Sequence, residues 1–245
     1  MTYYAVLLSI PLAVVSAFLI HWVTLRPVTT GKARLEISRG VYLGFSIQIF
    51  VFAVLLFYMG SSVLLAPLFA VGFSFVGDWF NLQFPIAVKN DGEPLIGGIL
   101  GFAMAQLFYI SAFFQLTSWN LVYYGYIPYL ISALFLVIPS VIFYFRVYNP
   151  SRPKTIMVFA LIYGLVLCFF VSLTVNAYLV FGGYWIYLML GGLIFLVSDA
   201  VMGETTIHGG RHPVWEFQVP WLTYLIAQSL LLIGFFLLSH TMIMR

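Results

Sequence analysis

The chain contains a series of uninterrupted apolar runs, many of them 18 residues or longer, and this feature restricts its fold most. A helix of about 20 residues crosses the hydrocarbon core of a bilayer and satisfies its own backbone hydrogen bonds. Strands of membrane β-barrels alternate polar and apolar residues, and these runs do not. Of the 245 residues, 63% are hydrophobic and only 7% are charged, which is too few charges for a soluble surface. The sequence therefore predicts an all-α, polytopic membrane protein.

Eight apolar runs predict eight transmembrane helices in a single domain over residues 1–245, because little chain is left between the runs. The first run is expected to be retained as a helix, since it is longer than a signal-peptide core and no Lys or Arg precedes it. The predicted helices lie near residues 3–25, 41–59, 62–82, 95–117, 121–146, 155–178, 183–203 and 217–240.

The basic residues predict the orientation in the membrane. Nine of the ten Lys and Arg residues follow odd-numbered helices in this assignment, and only Arg245 does not. The positive-inside rule then places these loops in the cytoplasm and both termini on the non-cytoplasmic side. The brevity of the chain and its lack of targeting features fit a prokaryotic inner (cell) membrane protein. A net charge of +3 without a long basic run argues against binding to nucleic acid.

Two carboxylates fall inside the predicted spans, Asp78 in VGDWFNL and Asp199 in LVSDAV. An acid within a membrane is costly, so each is a candidate functional residue. Each lies about 16 residues, or about 24 Å, along an inward-running helix, so both should reach the same depth near the cytoplasmic end. We therefore expect one pocket open to the cytoplasmic leaflet, with one acid protonated and the other charged. The alternative is that each acid caps a helix or pairs with an interfacial Arg.

Other polar side chains in the spans are candidates for the lining of that pocket. They are Asn81, Gln106, Tyr109, Tyr224 and Gln228. Tyr224 and Gln228 are one helical turn apart and so share a face. The alternative for each residue is a hydrogen bond that joins two helices.

One segment, GETTIHGGRHPVWE, has the spacing of a metal site. Glu204, His208, His212 and Glu216 would align on a helix, but the Gly209-Gly210 pair argues against that helix. We therefore predict a polar cytoplasmic loop and no metal site. The lysines lie outside the spans, which excludes a retinal Schiff base, and the four histidines are too few for a di-iron centre. No cofactor is predicted.

Five short motifs, in order along the chain, resemble those of one family of membrane proteins. They are RPVTT (26–30), VGDWFNL (76–82), GGILGFAMAQLFYISAF (97–113), GGLIFLVSDAV (191–201) and TYLIAQSLL (223–231). The chain resembles the lysoplasmalogenases, also called the YhhN-like family of eight-helix membrane proteins. It departs from the family pattern at Gln106, where the family usually has histidine.

The resemblance implies a hydrolase that cleaves the vinyl ether of lysoplasmalogens into a fatty aldehyde and glycerophosphoethanolamine or glycerophosphocholine. This chemistry requires a neutral acid beside a carboxylate and no cofactor, and Asp78 and Asp199 suit these roles. By the same resemblance, the five polar residues named above would position substrate or water. Arg26 and Lys32 would hold the phosphate of the lysophospholipid. The alternative function is non-enzymatic, in which the same pocket binds or transports a lipid or small solute among the membrane lipids.

Overall fold

The computed structural model describes residues 10–11, 13–18, 32–82, 94–117, 126–209 and 218–243, which contain helices and turns but no β-strand. The helices with printed bounds are α1 (Lys32–Met59), α2 (Leu65–Asn81, after a 3-10 turn at Ser62–Leu64), α3 (Pro94–Thr117), α4 (Ile127–Ile142, continued by a π-helical turn at Phe143–Val147), α5 (Lys154–Phe181), α6 (Trp185–Gly203, continued by a π-helical turn at Glu204–His208) and α7 (Gln218–Ile243). Residues 10, 11 and 13–18 of the predicted first span are also helical.

The prediction of an all-α membrane protein is confirmed. Within the described ranges, seven helices are long and apolar enough to cross a membrane. They correspond to the second to eighth predicted spans. Most of the predicted first span lies outside the described residues.

The second predicted span, 41–59, agrees with the apolar span Gly40–Met59, but the helix that contains this span begins earlier. Helix α1 begins at Lys32, so Arg34 and Arg39 belong to a helix and not to a loop. Apolar runs report only the part of a helix within hydrocarbon, and a helix can continue into the headgroup region with charged residues. The sequence criterion therefore missed the polar beginning of this helix.

The predicted loop after residue 203 is also partly wrong. The chain stays helical through His208, as a π-helical turn that continues α6. The helix ends at Gly209, whose φ of 83° is in the left-handed region that glycine adopts without strain. Glycine therefore ends the helix as expected, but one turn later than the apolar run suggested.

Helix α7 is the centre of the bundle and α4 lies at its edge. In the apolar span of α7, 72% of the residues are buried, against 6% in the span of α4. Helix α6 packs along α7, and α2 packs along α3, while α4 packs mainly against α5. The polar residues of α7 therefore face other helices, whereas α4 leaves most of its surface for lipid.

Small residues let α2 and α3 approach each other closely. A Cβ atom on Gly101 would lie 2.7 Å from the backbone nitrogen of Gly77. A Cβ on Gly97 would lie 2.6 Å from the ring of Phe80. The absence of side chains at these positions brings the two backbones into contact. This contact places the C-terminal end of α2, which carries Asp78, against α3.

Candidate functional site

Asp199, on α6, lines a cavity between α3, α4, α5 and α6. The cavity has a volume of about 320 Å³, which falls within the usual range for ligand pockets. Asp199 is half-buried, and its Oδ2 accepts a hydrogen bond from the hydroxyl of Tyr163 on α5. The turn of α6 that carries Asp199 is held against α7, because the neighbouring Ser198 Oγ donates to the backbone oxygen of Pro220 at 2.7 Å. The carboxyl group is therefore held in position, and Asp199 lines the cavity.

Most of the cavity wall is apolar. Its lining includes the side chains Leu95, Ile99, Phe102, Leu134, Phe135, Ile138, Ile142, Phe143, Leu167 and Leu196. The polar members are few, chiefly Asn81, Tyr163, Asp199 and Thr206. A wall of this kind suits a hydrocarbon chain whose reacting end meets one polar cluster.

Asp78, on α2, is held in a separate and more deeply buried cluster. Its Oδ2 accepts hydrogen bonds from Ser46 Oγ on α1 at 2.6 Å and from Tyr224 Oη on α7 at 2.9 Å. The residue is 3% exposed and does not line the cavity. Three helices are therefore joined at this one carboxyl group.

A second polar chain joins α2, α3 and α7 beside the Asp78 cluster. The Tyr109 hydroxyl donates to Gln228 Oε1, and Gln228 Nε2 donates to Ser74 Oγ at 2.9 Å. Tyr109, Ser74 and Gln228 are fully buried. Each of these groups is satisfied by protein, so this chain fixes helix positions.

Phe102 stands between the two acids. Its ring lines the cavity and makes an edge contact with Tyr224, with ring centroids 5.9 Å apart. Phe195 also contacts Tyr224, with ring centroids 5.7 Å apart. Tyr163, which donates to Asp199, and Tyr224, which donates to Asp78, both contact the Phe102 ring. The partners of the two acids therefore meet the same ring, while the acids themselves have different surroundings.

Comparison with known proteins gives one match. The model of the YhhN family matches residues 41–235, which is most of the chain. The chain belongs to the YhhN family. No curated protein and no solved structure matches it. The resemblance noted from the five motifs is thereby confirmed at the level of the family.

Only one of the two acids of this YhhN protein lines the cavity. Asp199 and Asn81 line the cavity, whereas Asp78 does not. Within the described residues, neither Asp78 nor Asp199 forms an ion pair. The single pocket was inferred from equal depth alone, and depth does not report which way a side chain points around its helix.

The other predicted site residues divide into two groups. Gln106, Tyr109, Tyr224 and Gln228 lie in the core and not in the cavity wall. The last three make interhelical hydrogen bonds, which was the alternative for each of them. Arg26, His212, Glu216 and the side chain of Lys32 lie outside the described residues. Among the described residues, no three metal-ligating side chains cluster together.

The sequence analysis missed three hydrogen-bond partners of the candidate residues in this YhhN protein. They are Ser46, Ser74 and Tyr163. Each is a polar side chain inside an apolar run, and that signal was available. Serine and tyrosine are common in membrane helices, however, and only the packing of α1, α2 and α5 shows which of them meet a carboxyl or amide group. Tyr163 is the most informative of the three because it shares the cavity with Asp199.

Gln106 is fully buried, and within the described part of the chain neither of its amide atoms has a partner at good hydrogen-bond geometry, although the Tyr163 side chain lies near it. A buried amide without partners lowers stability by about 1–3 kcal/mol. Replacing Gln106 by Met, which has a similar shape, is therefore expected to raise the midpoint of thermal unfolding in detergent. The free energy gain should be about 1 kcal/mol.

The matched control is Gln228→Met. That change leaves the Tyr109 hydroxyl and Ser74 Oγ without their partner, and it should lower stability by about 1–3 kcal/mol. Equal destabilisation by both changes would contradict the assignment of Gln106 as unpartnered.

Proposed function

We propose that this protein is a membrane-embedded hydrolase that cleaves the vinyl-ether bond of lysoplasmalogens. Its products would be a fatty aldehyde and glycerophosphoethanolamine or glycerophosphocholine. The observation that carries the proposal is the Asp199 carboxyl group, which faces an apolar cavity and is oriented by Tyr163. Membership of the YhhN family, which includes lysoplasmalogenases, supports it.

The proposed reaction begins with proton transfer from Asp199 to the vinyl carbon remote from the ether oxygen. The adjacent carbon and the ether oxygen then share the positive charge of an oxocarbenium ion. Water adds to that carbon and loses a proton, and the carboxylate of Asp199 takes it up. The hemiacetal so formed divides into the aldehyde and the glycerol hydroxyl. Asp199 therefore ends each cycle in its starting state.

Asp78 has a different part in this proposal. Its Oδ2 accepts hydrogen bonds from Ser46 and Tyr224, so helices α1 and α7 hold this carboxyl group in place. A negative charge near the cavity would stabilise the oxocarbenium ion, because electrostatic interactions are strong where water is excluded. Asp199 is thus the proposed acid and base, and Asp78 the proposed neighbouring anion.

The proposed topology has eight transmembrane helices with both termini on the non-cytoplasmic side. The cavity then opens toward the cytoplasmic leaflet of a prokaryotic inner membrane. The support is the position of Arg146, Arg152 and Lys154, which follow α4 or begin α5 at the Asp199 end of the bundle. The positive-inside rule assigns such a cluster to the cytoplasm.

A second candidate function is lipid binding or transport without chemistry. The observation that favours it is the Phe102 wall, which keeps the polar cluster at Asp78 away from the cavity. In this case the cavity would hold a single lipid chain, and the acids would tune its affinity.

The test that separates these functions is aldehyde release by the purified protein in detergent or lipid. We expect fatty aldehyde from a 1-alkenyl lysophospholipid and none from its saturated-ether or ester counterparts. Only the vinyl ether has a double bond that a proton can attack. If the folded protein binds all three lipids but releases no aldehyde, the proposed hydrolase activity is contradicted and the binding function is favoured.

A further inference from the structure

An ion pair lies at the end of the cavity nearest the π-helical turns. Arg146 is on the turn that continues α4, and Glu204 begins the turn that continues α6. Arg146 Nη2 and Glu204 Oε2 are 3.5 Å apart, and their side chains are 64% and 21% exposed. The pair is thus accessible from outside the bundle.

The ion pair lies next to residues that line the cavity. Val147 and Gly203, which adjoin Arg146 and Glu204 in sequence, both line the cavity. A Cβ on Gly203 would lie 3.2 Å from the side chain of Val147, so the two turns are in contact at this point. On each turn, the charged residue is therefore adjacent in sequence to a residue of the cavity wall.

The two turns are tied together by hydrogen bonds from the segment after α4. Arg152 Nη2 donates to the backbone oxygen of Thr206 at 2.9 Å, and Asn149 Nδ2 donates to that of His208 at 3.0 Å. The ring of His208 makes a further contact of 3.0 Å with the backbone oxygen of Tyr148. The positions of the ion pair and of the cavity wall are therefore fixed relative to each other.

We propose that Arg146 and Glu204 form the headgroup site for a zwitterionic, single-chain phospholipid. The guanidinium group would bind the phosphate, and the carboxylate would bind the ammonium group of the headgroup. Arg146 has five N–H donors, only some of which Glu204 can occupy, and a guanidinium group matches the geometry of a phosphate. This assignment of the substrate class rests on the proposed function for its reactive bond.

The spacing between the ion pair and Asp199 fits such a lipid. Glu204 follows Asp199 by five residues, which corresponds to about 7.5 Å along a helix. In a lysophospholipid extended through bonds of about 1.5 Å, the ether oxygen at the first glycerol carbon lies about 6–7 Å from the phosphorus. With the headgroup at Arg146 and Glu204, the vinyl ether therefore lies beside Asp199 and the hydrocarbon chain fills the apolar cavity.

The experiment measures binding without catalysis. Native mass spectrometry of the detergent-solubilised protein measures its affinity for three saturated 1-O-alkyl ligands. These are lysophosphatidylethanolamine, lysophosphatidic acid and the headgroup-free alkylglycerol. Arg146→Gln should weaken both phospholipids about tenfold and leave alkylglycerol unchanged. Glu204→Gln should weaken only the ethanolamine lipid, because lysophosphatidic acid has no ammonium group.

Two further variants complete the design. Lys154→Gln removes an exposed cation that does not border the cavity and should leave all three affinities unchanged. Arg146→Lys should retain more phospholipid binding than Arg146→Gln, since a cation remains. Equal loss of all three ligands, or equal effects of Arg146→Gln and Lys154→Gln, would overturn the headgroup site. If charge-dependent binding occurs but no aldehyde forms from a vinyl ether, the headgroup site stands and the hydrolase fails.

Discussion

Asp199→Asn is expected to lower kcat for aldehyde release by about 10²–10⁴-fold, the usual contribution of a general acid or base. Asparagine keeps the volume and can accept the hydrogen bond from Tyr163, but it has no proton to deliver to carbon. Binding of a saturated-ether analogue should be unchanged, because the apolar wall and the mouth of the cavity are intact. The measurement is steady-state kinetics on a 1-alkenyl lysophospholipid, together with binding of the analogue.

Two variants separate proton transfer from other effects at this site. Tyr163→Phe removes the donor that orients Asp199 and should lower kcat less than Asp199→Asn does. Asp78→Asn removes the neighbouring charge without changing the cavity wall, so it should lower kcat with KM nearly unchanged. Full aldehyde release by Asp199→Asn would exclude Asp199 as the acid.

Gly101→Val is expected to destabilise the protein by about 3 kcal/mol or more, beyond the usual range for overpacked sites. The atoms closest to an added Cβ are the nitrogen of Gly77 at 2.7 Å and the α-carbon of Gly77 at 2.8 Å. Both are backbone atoms, so no rotation of a side chain relieves the clash. Helices α2 and α3 would have to separate, and Asp78 would move with α2. The measurement is thermal unfolding in detergent with an intrinsic fluorescence signal.

The control for this change is Gly44→Ala, compared with Gly101→Ala. Among the described residues outside the backbone of α1, no atom lies within 4 Å of a Cβ added at Gly44, so alanine there should stabilise helix α1 by up to about 1 kcal/mol. Gly101→Ala should lower stability and Gly44→Ala should not. Equal shifts of the unfolding midpoint would mean that contact between α2 and α3 does not limit stability.

The sequence predicted the spans well because apolar length and helix length are linked by the thickness of the bilayer. It did not predict how far the helices continue at their polar ends, where α1 begins at Lys32 and α6 continues as a π-helical turn to His208. These turns lie beyond the apolar runs, and nothing in hydropathy distinguishes a helical polar segment from a loop. The π-helical turn after α6 is the clearest case, since it begins with Glu204, which pairs with Arg146.

For the intramembrane acids, too, the sequence predicted one part and the packing of the helices decided the other. Their rarity within apolar runs was enough to select Asp78 and Asp199 as candidates, because placing a carboxyl group in hydrocarbon costs free energy. Their partners were not predictable, since Ser46, Tyr163 and Tyr224 come from three different helices. Such contacts depend on how each helix is rotated about its axis, and that rotation is set by packing.

The sequence by itself determined the helical membrane fold, the YhhN family and the two acids, because these follow from local hydropathy and short motifs. Only the tertiary structure decided that Asp199 faces a cavity while Asp78 is buried behind Phe102. It also decided that Arg146 and Glu204 form an ion pair. Residues 58 positions apart along the chain meet only when the ends of α4 and α6 pack together, and the pairing of helices is a property of the whole bundle.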